Sequence, residues 1–272
     1  KLGSSPSDAI ALTNPVTRDD SLLRTSLLPG LLKSLALNLA RRAGDVRLFE
    51  IGRVFLKSQD DLPEEPSRLA FVLGGTVPQE WHSSPRDVDF FDLKGAVELV
   101  LDALNVPARS FVEHGKPPYH PTRSAEVRSG DLSLGVLGEA GPALAAQLDL
   151  PTRVYNGELD LEALLAVSSA PPPAGEQTRY PAVLLDIAMS VPEAVRAADV
   201  MNTARSAGGD HLESVRLIDV YRGGQVGEGN KSFALTLSFR SPSRTLTEAE
   251  ALLARDAIIA AIAERHQGRI RA

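Results

Sequence analysis

Lys231-Ser232-Phe233-Ala234-Leu235-Thr236-Leu237-Ser238-Phe239 alternates large apolar and small residues without a break. That period of two is the signature of a strand with one face buried. Phe233, Leu235, Leu237 and Phe239 point inward, and Ser232, Ala234, Thr236 and Ser238 point outward. Val183 to Val191 repeats the pattern, with Leu185, Ile187 and Met189 inward and Asp186 and Ser190 outward. Val215 to Tyr221 reads as a third strand. Putting Ile218 and Val220 inward leaves Asp219 and Tyr221 outward. Arg269 to Ala272 can add a fourth, with Ile270 inward and Arg269 and Arg271 outward.

Helices separate these strands. Pro192 stands where a first-turn proline fits, and a helix follows to about Ala207, ended by Gly208-Gly209. Gly223 to Gly229 is a flexible hairpin connection. Thr247-Glu248-Ala249-Glu250 is a capping box opening a helix to about His266, with Gly268 as its stop. Strand, helix, strand, strand, helix, strand is the ferredoxin-like split βαβ order. One sheet face packs on the two helices. The other collects a ring, hydroxyls and two guanidiniums, a set that suits stacking on bases and contact with phosphate. On the pattern alone, a solvated polar face is the simpler reading.

Upstream, Ser168-Ser169-Ala170-Pro171-Pro172-Pro173-Ala174-Gly175 cannot continue a helix or a sheet interior and reads as a semi-extended spacer. It divides the chain into a domain at 1–167, a linker at 168–178 and a domain at 179–272. The first domain reads as mixed α and β. A helical stretch from Leu22 to Ala43 is interrupted near Pro29-Gly30, and a strand runs from Val46 to Leu56. A second strand covers Arg68 to Gly74. Asp92 can cap a helix over 93–104, and a hairpin turns at Ser129-Gly130-Asp131. A strand and short helix close the domain between Gly157 and Leu165.

The 272 residues are 43% hydrophobic and 24% charged, ordinary globular composition. Net charge is −6. The segment from 179 onward holds 12 basic and 11 acidic groups of the chain's 29 and 35. Net charge there is +1 against −7 before it, an asymmetry that permits RNA binding by the second domain. Cysteine is absent, which excludes disulfides and thiolate metal sites. No apolar run approaches the length of a membrane span, and no signal peptide is visible at the start, so a cytoplasmic location is expected. The five histidines have no i, i+4 pair, and neither a nucleophile elbow nor a Walker phosphate loop occurs.

Several blocks in order resemble the bacterial phenylalanine–tRNA synthetase β subunit. They include Leu23-Arg24-Thr25-Ser26-Leu27-Leu28-Pro29-Gly30, Leu48-Phe49-Glu50-Ile51-Gly52-Arg53, Asp89-Phe90-Phe91-Asp92-Leu93-Lys94-Gly95 and His120-Pro121-Thr122-Arg123. Asp219-Val220-Tyr221, Lys231-Ser232-Phe233-Ala234, Arg244-Thr245-Leu246-Thr247 and Ile270-Arg271 continue the series. Two positions depart from the family pattern: Leu185 stands where Arg is frequent, and Glu139-Ala140-Gly141-Pro142 replaces an acidic-His-Pro turn. The resemblance implies an α+β chain. A class II synthetase-like domain precedes a ferredoxin-fold anticodon-binding domain, the whole being a C-terminal part of a longer subunit. It further implies a catalytic α (small) subunit and tRNA(Phe) as partners, and a holoenzyme of two small and two large subunits that uses ATP and Mg2+.

Class II adenylation needs arginines on the ATP phosphates. In Gly52-Arg53-Val54-Phe55-Leu56 the place of the second-signature Arg holds Leu56. The candidate third signature, Tyr155 to Glu162, has no Arg. The expectation is a non-catalytic scaffold, with no catalytic, cofactor or metal residue in this chain. The candidate tRNA-binding residues are Tyr221, Ser232, Thr236, Arg244, Arg269 and Arg271. Two alternatives remain: a stand-alone RNA-binding or regulatory paralogue, and an independent ligase or hydrolase.

Overall fold

A computed structural model describes residues 9–16, 21–59, 62–77, 81, 84–150, 152–170 and 180–271. The chain divides into two compact units, Lys1–Pro173 and Ala174–Ala272. Most of the expected spacer, at 171–178, lies outside the described residues.

The first unit is built on one antiparallel sheet. Its elements are α1 (Leu28–Ala40), β1 (Asp45–Arg53), β2 (Ser67–Val77), β3 (Arg86–Asp87), α2 (Phe90–Ala103) and β4 (Arg109–Glu113). There follow β5 (Tyr119–Ser129), β6 (Leu132–Ala140), α3 (Pro142–Gln147), β7 (Val154–Asp160) and α4 (Leu161–Val167). The strand order is β1-β2-β7-β6-β5-β4, with β3 on β2. β2 is buried on both faces, and its alternation assigns each face a partner. Leu69, Phe71 and Leu73 pack with Leu93, Val97 and Leu101 of α2 and Leu164 of α4. Ala70 and Val72 pack with Leu28, Leu31, Leu32 and Leu35 of α1.

Two expected helix starts move. The N-terminal helix begins at Leu28 and Pro29 sits in its first turn, where a missing N–H costs nothing; Pro29 opens the helix and does not interrupt one. The cap of α2 is Asp89, not Asp92. Asp89 Oδ1 accepts the Phe91 and Asp92 amides at 2.7 and 3.2 Å, while the Asp92 carboxylate accepts the Asp89 amide at 2.8 Å. Asp92 is thus the third helical residue of a capping box, held further by a bidentate pair of 2.7 Å bonds from Arg86.

The second unit runs β8 (Val183–Pro192), α5 (Ala197–Ala207), β9 (Leu212–Tyr221), β10 (Asn230–Phe239), α6 (Glu248–His266) and β11 (Arg269–Ile270). The sheet order β11-β8-β10-β9, all antiparallel, is the ferredoxin-like arrangement. Phe233, Leu235, Leu237 and Phe239 are buried with Ile187, Met189 and Val191 against Val200 and Ala204 of α5 and Ile258 and Ile262 of α6. Thr247 forms the expected capping box with Glu250.

Four local expectations for this unit are overturned. Pro192 ends β8 opposite Asn230, and the helix starts five residues later, at Ala197; a residue without an N–H is tolerated at a strand end. The left-handed residue closing α6 is Gln267 (φ 53°). Gly268 is needed for a different reason: a Cβ there would lie 2.9 Å from Ile262 Cγ2. Ile218 does not point inward. The β9–β10 register shifts between Ala234 and Leu235, so Asp219 and Leu217 pair with adjacent residues of β10 and Ile218 is the extra residue of a bulge. It is exposed, while Leu217 and Val220 join the core. Ile270 is 61% exposed; its register partner Met189 faces the helices, but β11 is a two-residue edge strand and Ile270 stays outside the core cluster.

Candidate nucleic-acid interface

The open face of the second sheet can be followed row by row through the register. Arg269 pairs with Ser190, Ser190 with Ser232, and Ser232 with Tyr221. In the next row the Arg271 amide donates to the Ala188 carbonyl at 2.8 Å, and Ala188 continues through Ala234 to Asp219. The third row is Asp186, Thr236 and Arg216. The two central strands therefore carry only Ser and Ala in the first two rows, with Tyr221 and the arginines at the rims. Small central residues leave a shallow floor between taller walls.

Each side chain has a definite environment. Arg271 sets its guanidinium carbon 4.6 Å from the Tyr221 ring centroid and donates through Nη2 to Gln225 Oε1. Gly223 backs the phenol end of the same ring; a Cβ there would lie 2.3 Å from Tyr221 Oη. Tyr221 is still 36% exposed. Ser232 is only 3% exposed, so its hydroxyl belongs to the floor and not to the rim. Thr236 Oγ1 donates to Asp186 Oδ1 at 2.5 Å. Arg216 and Arg269 are exposed and have no side-chain partner among the described residues.

Arg244 lies elsewhere. It precedes α6 and forms a bidentate ion pair with Glu250, one bond measuring 2.9 Å. That guanidinium, with the Thr247 amide and hydroxyl, holds the Glu250 carboxyl far below the usual carboxylate range. Arg244 is thus spent on the start of α6, and the structure does not bring it onto the open face with Tyr221 and Arg271. Sequence reasoning missed Arg216, because alternation carried back from Tyr221 across the bulge at Ile218 turns it inward, and Gln225, for which the glycine-rich loop carries no signal.

The first unit shows what has become of its arginines. On the sheet face shared with α1, Arg68 is ion-paired with Asp160, and Arg24 with Glu50 at 2.8 Å. Glu158 accepts the Leu27 amide at 2.7 Å and the Ser26 hydroxyl at 3.1 Å, so it serves the entrance of α1. Burial pushes the Glu158 carboxyl up, more than these two donors and the nearby Arg68 and Arg24 lower it. A carboxyl with a raised folded pKa holds its proton more tightly folded than unfolded. Stability from this group is therefore lost as pH climbs from the ordinary carboxylate range through the folded value. Glu158→Gln should flatten that decline while keeping an acceptor for Leu27, whereas Glu158→Ala should cost about 1–3 kcal/mol by orphaning the amide. Urea unfolding of the three proteins across pH 4.5 to 7.5, taken as roughly the window of interest, checks both; parallel pH profiles for wild type and Glu158→Gln would refute the assignment. Among the described residues no cluster of three or more His, Asp or Glu could hold a metal ion.

Comparison with known proteins follows the same division. The profile described as "Phenylalanyl tRNA synthetase beta chain CLM domain" matches residues 1–161, well over half the chain. The chain belongs to that family. The profile described as "Ferredoxin-fold anticodon binding domain" matches residues 178–271, the unit that carries the open face. Curated relatives named phenylalanine–tRNA ligase β subunit include that of Moorella thermoacetica, 39% identical over 94% of this chain and 32% of its own length. The Bacillus subtilis protein is 37% identical over 96% of this chain and 33% of its own, and the Symbiobacterium thermophilum protein 40% identical over 89% and 27%. The chain thus spans about a third of the length of these relatives. Among solved structures, pyrrolysyl-tRNA synthetase from Desulfitobacterium hafniense matches 59% of this chain at 22% identity, with a TM-score of 0.46. No helix of the described residues is long and apolar enough to cross a membrane.

Proposed function

We propose that this chain is part of the large subunit of a phenylalanine–tRNA ligase, in which the first unit supports the catalytic small subunit and the second binds the anticodon region of tRNA(Phe). The observation that carries the tRNA half is the small-floored open face walled by Tyr221, Arg216, Arg269 and Arg271. A ring offers every base a stacking partner, and unpaired guanidiniums meet phosphates. Thr236 and the Ser232 floor hydroxyl complete the proposed contact set; Arg244 contributes through the start of α6. The partners are the small subunit and tRNA(Phe), in an assembly of two small and two large subunits in the cytoplasm.

The scaffold half rests on what the first unit does with its charge. Leu56, at the place of a phosphate-binding Arg, only bridges Glu64 through the backbone. Segment 155–162 supplies the carboxylates Glu158, Asp160 and Glu162 and no cation. Arg24 and Arg68 are neutralised by Glu50 and Asp160. ATP and Mg2+ are then used by the small subunit and not by this chain. The expected result is that this chain alone gives no phenylalanine-dependent pyrophosphate exchange, while the complete ligase does. Turnover by the isolated chain above a blank would overturn the scaffold reading.

A further inference from the structure

The Tyr221 ring is not an empty platform. Its phenol end is closed by the Gly223 backbone, and the Arg271 guanidinium lies over its face at 4.6 Å. Arg271 is held there by Gln225, which sits in a short 3-10 turn, Gly224–Val226, anchored by the buried Val226. The main chain of Arg271 is pinned to β8 through Ala188, so its side chain can leave the ring by rotation about a fixed pivot. Beneath lie Ser190, Ser232, Ala188 and Ala234, too short to obstruct a planar group arriving beside the ring.

We propose that Arg271 is a resident occupant of the Tyr221 stacking surface, positioned by Gln225, and that a nucleobase takes its place when RNA binds. This deepens the open-face reading and rests on it. The exchange is chemically matched: a planar cation on a π face gives way to a planar base. The displaced guanidinium stays on the same face, at the rim beside Arg269, where it can meet the RNA backbone. Its charge is therefore counted in the bound state, and Gln225 acts only on the free state.

The test uses the complete ligase and tRNA(Phe), with binding measured at several salt concentrations. Gln225 is exposed, so Gln225→Ala leaves folding intact. Losing one hydrogen bond that exists only before binding should tighten tRNA binding about two- to tenfold with an unchanged salt slope. In the Tyr221→Ala background the same change should do nothing, because there is no ring for Arg271 to cover. Unchanged or weaker binding by Gln225→Ala, or a gain that persists without the ring, overturns the exchange. If Tyr221→Ala alone leaves affinity unchanged, the open-face reading fails and the exchange with it; if Tyr221→Ala weakens binding while Gln225→Ala is silent, only the exchange fails.

Discussion

Tyr221→Ala is expected to weaken tRNA(Phe) binding by the complete ligase roughly 2- to 30-fold. Base stacking on an aromatic contributes on the order of 1–3 kcal/mol by alanine substitution. A cation over an exposed ring contributes about 0.5–1 kcal/mol. The wild-type protein gives up the Arg271–ring contact when a base arrives, so the net loss in the variant is about 0.5–2 kcal/mol. No charge is removed, so the salt slope should hold. Arg271→Ala differs in kind: the slope should fall by about one, with a smaller loss at high salt. Equilibrium titration at three or more salt concentrations separates them. A Tyr221→Ala slope as altered as that of Arg271→Ala would mean the ring acts only by placing the guanidinium.

The largest effect on stability should come from the strand that decides the fold. Phe239 is fully buried between the sheet and α6. Phe239→Ala should destabilise the second unit by about 3–5 kcal/mol, through lost burial and the cavity left behind. That is a large part of the ~5–15 kcal/mol typical of a whole domain, so this unit should unfold at markedly lower urea. Ile270→Ala should do far less, because Ile270 is exposed on a two-residue edge strand. Comparable losses for the two variants would mean that the inner face of the sheet has been misassigned.

The contrast between Phe239 and Ile270 marks how far the sequence could be read. Alternation is informative where a strand is long and central, because a one-residue slip would turn every apolar group to solvent. β8 and β10 meet that condition, and their inner faces matched the pattern. β9 is an edge strand with a bulge at Ile218, and alternation carried past a bulge assigns the inserted residue to the wrong side. β11 is too short for a pattern, so only its pairing with Ser190 and Met189 fixes its sides. Helix starts failed for a related reason. Asp89 and Asp92 are both acceptable caps, and only the backbone geometry tells the cap from the third helical residue that answers it.

The candidate site divides in the same way. Tyr221 and Arg269 share a face because each lies on a strand joined, through Ser190 and Ser232, to a readable neighbour, and Arg271, just past β11, follows through its amide bond to Ala188. Arg244 was chosen by family likeness alone, and the ion pair with Glu250 shows a local duty that no spacing rule would single out. The contact of Arg271 with Gln225 spans 46 residues and joins a loop to the residue that follows the last strand. Nothing in either segment alone announces it.

RNA bound by the second unit should meet the open face of its sheet and not the side covered by α5 and α6. Photocrosslinking of tRNA(Phe) to the complete ligase, with the linked residues mapped by mass spectrometry, distinguishes the two faces. Crosslinks are expected at Tyr221 and in the peptides carrying Arg216, Arg269 and Arg271, made by nucleotides of the anticodon loop. Crosslinks gathered instead on α5 and α6, around exposed residues such as Arg205 and Asp256, with the open face unlabelled, would contradict that placement.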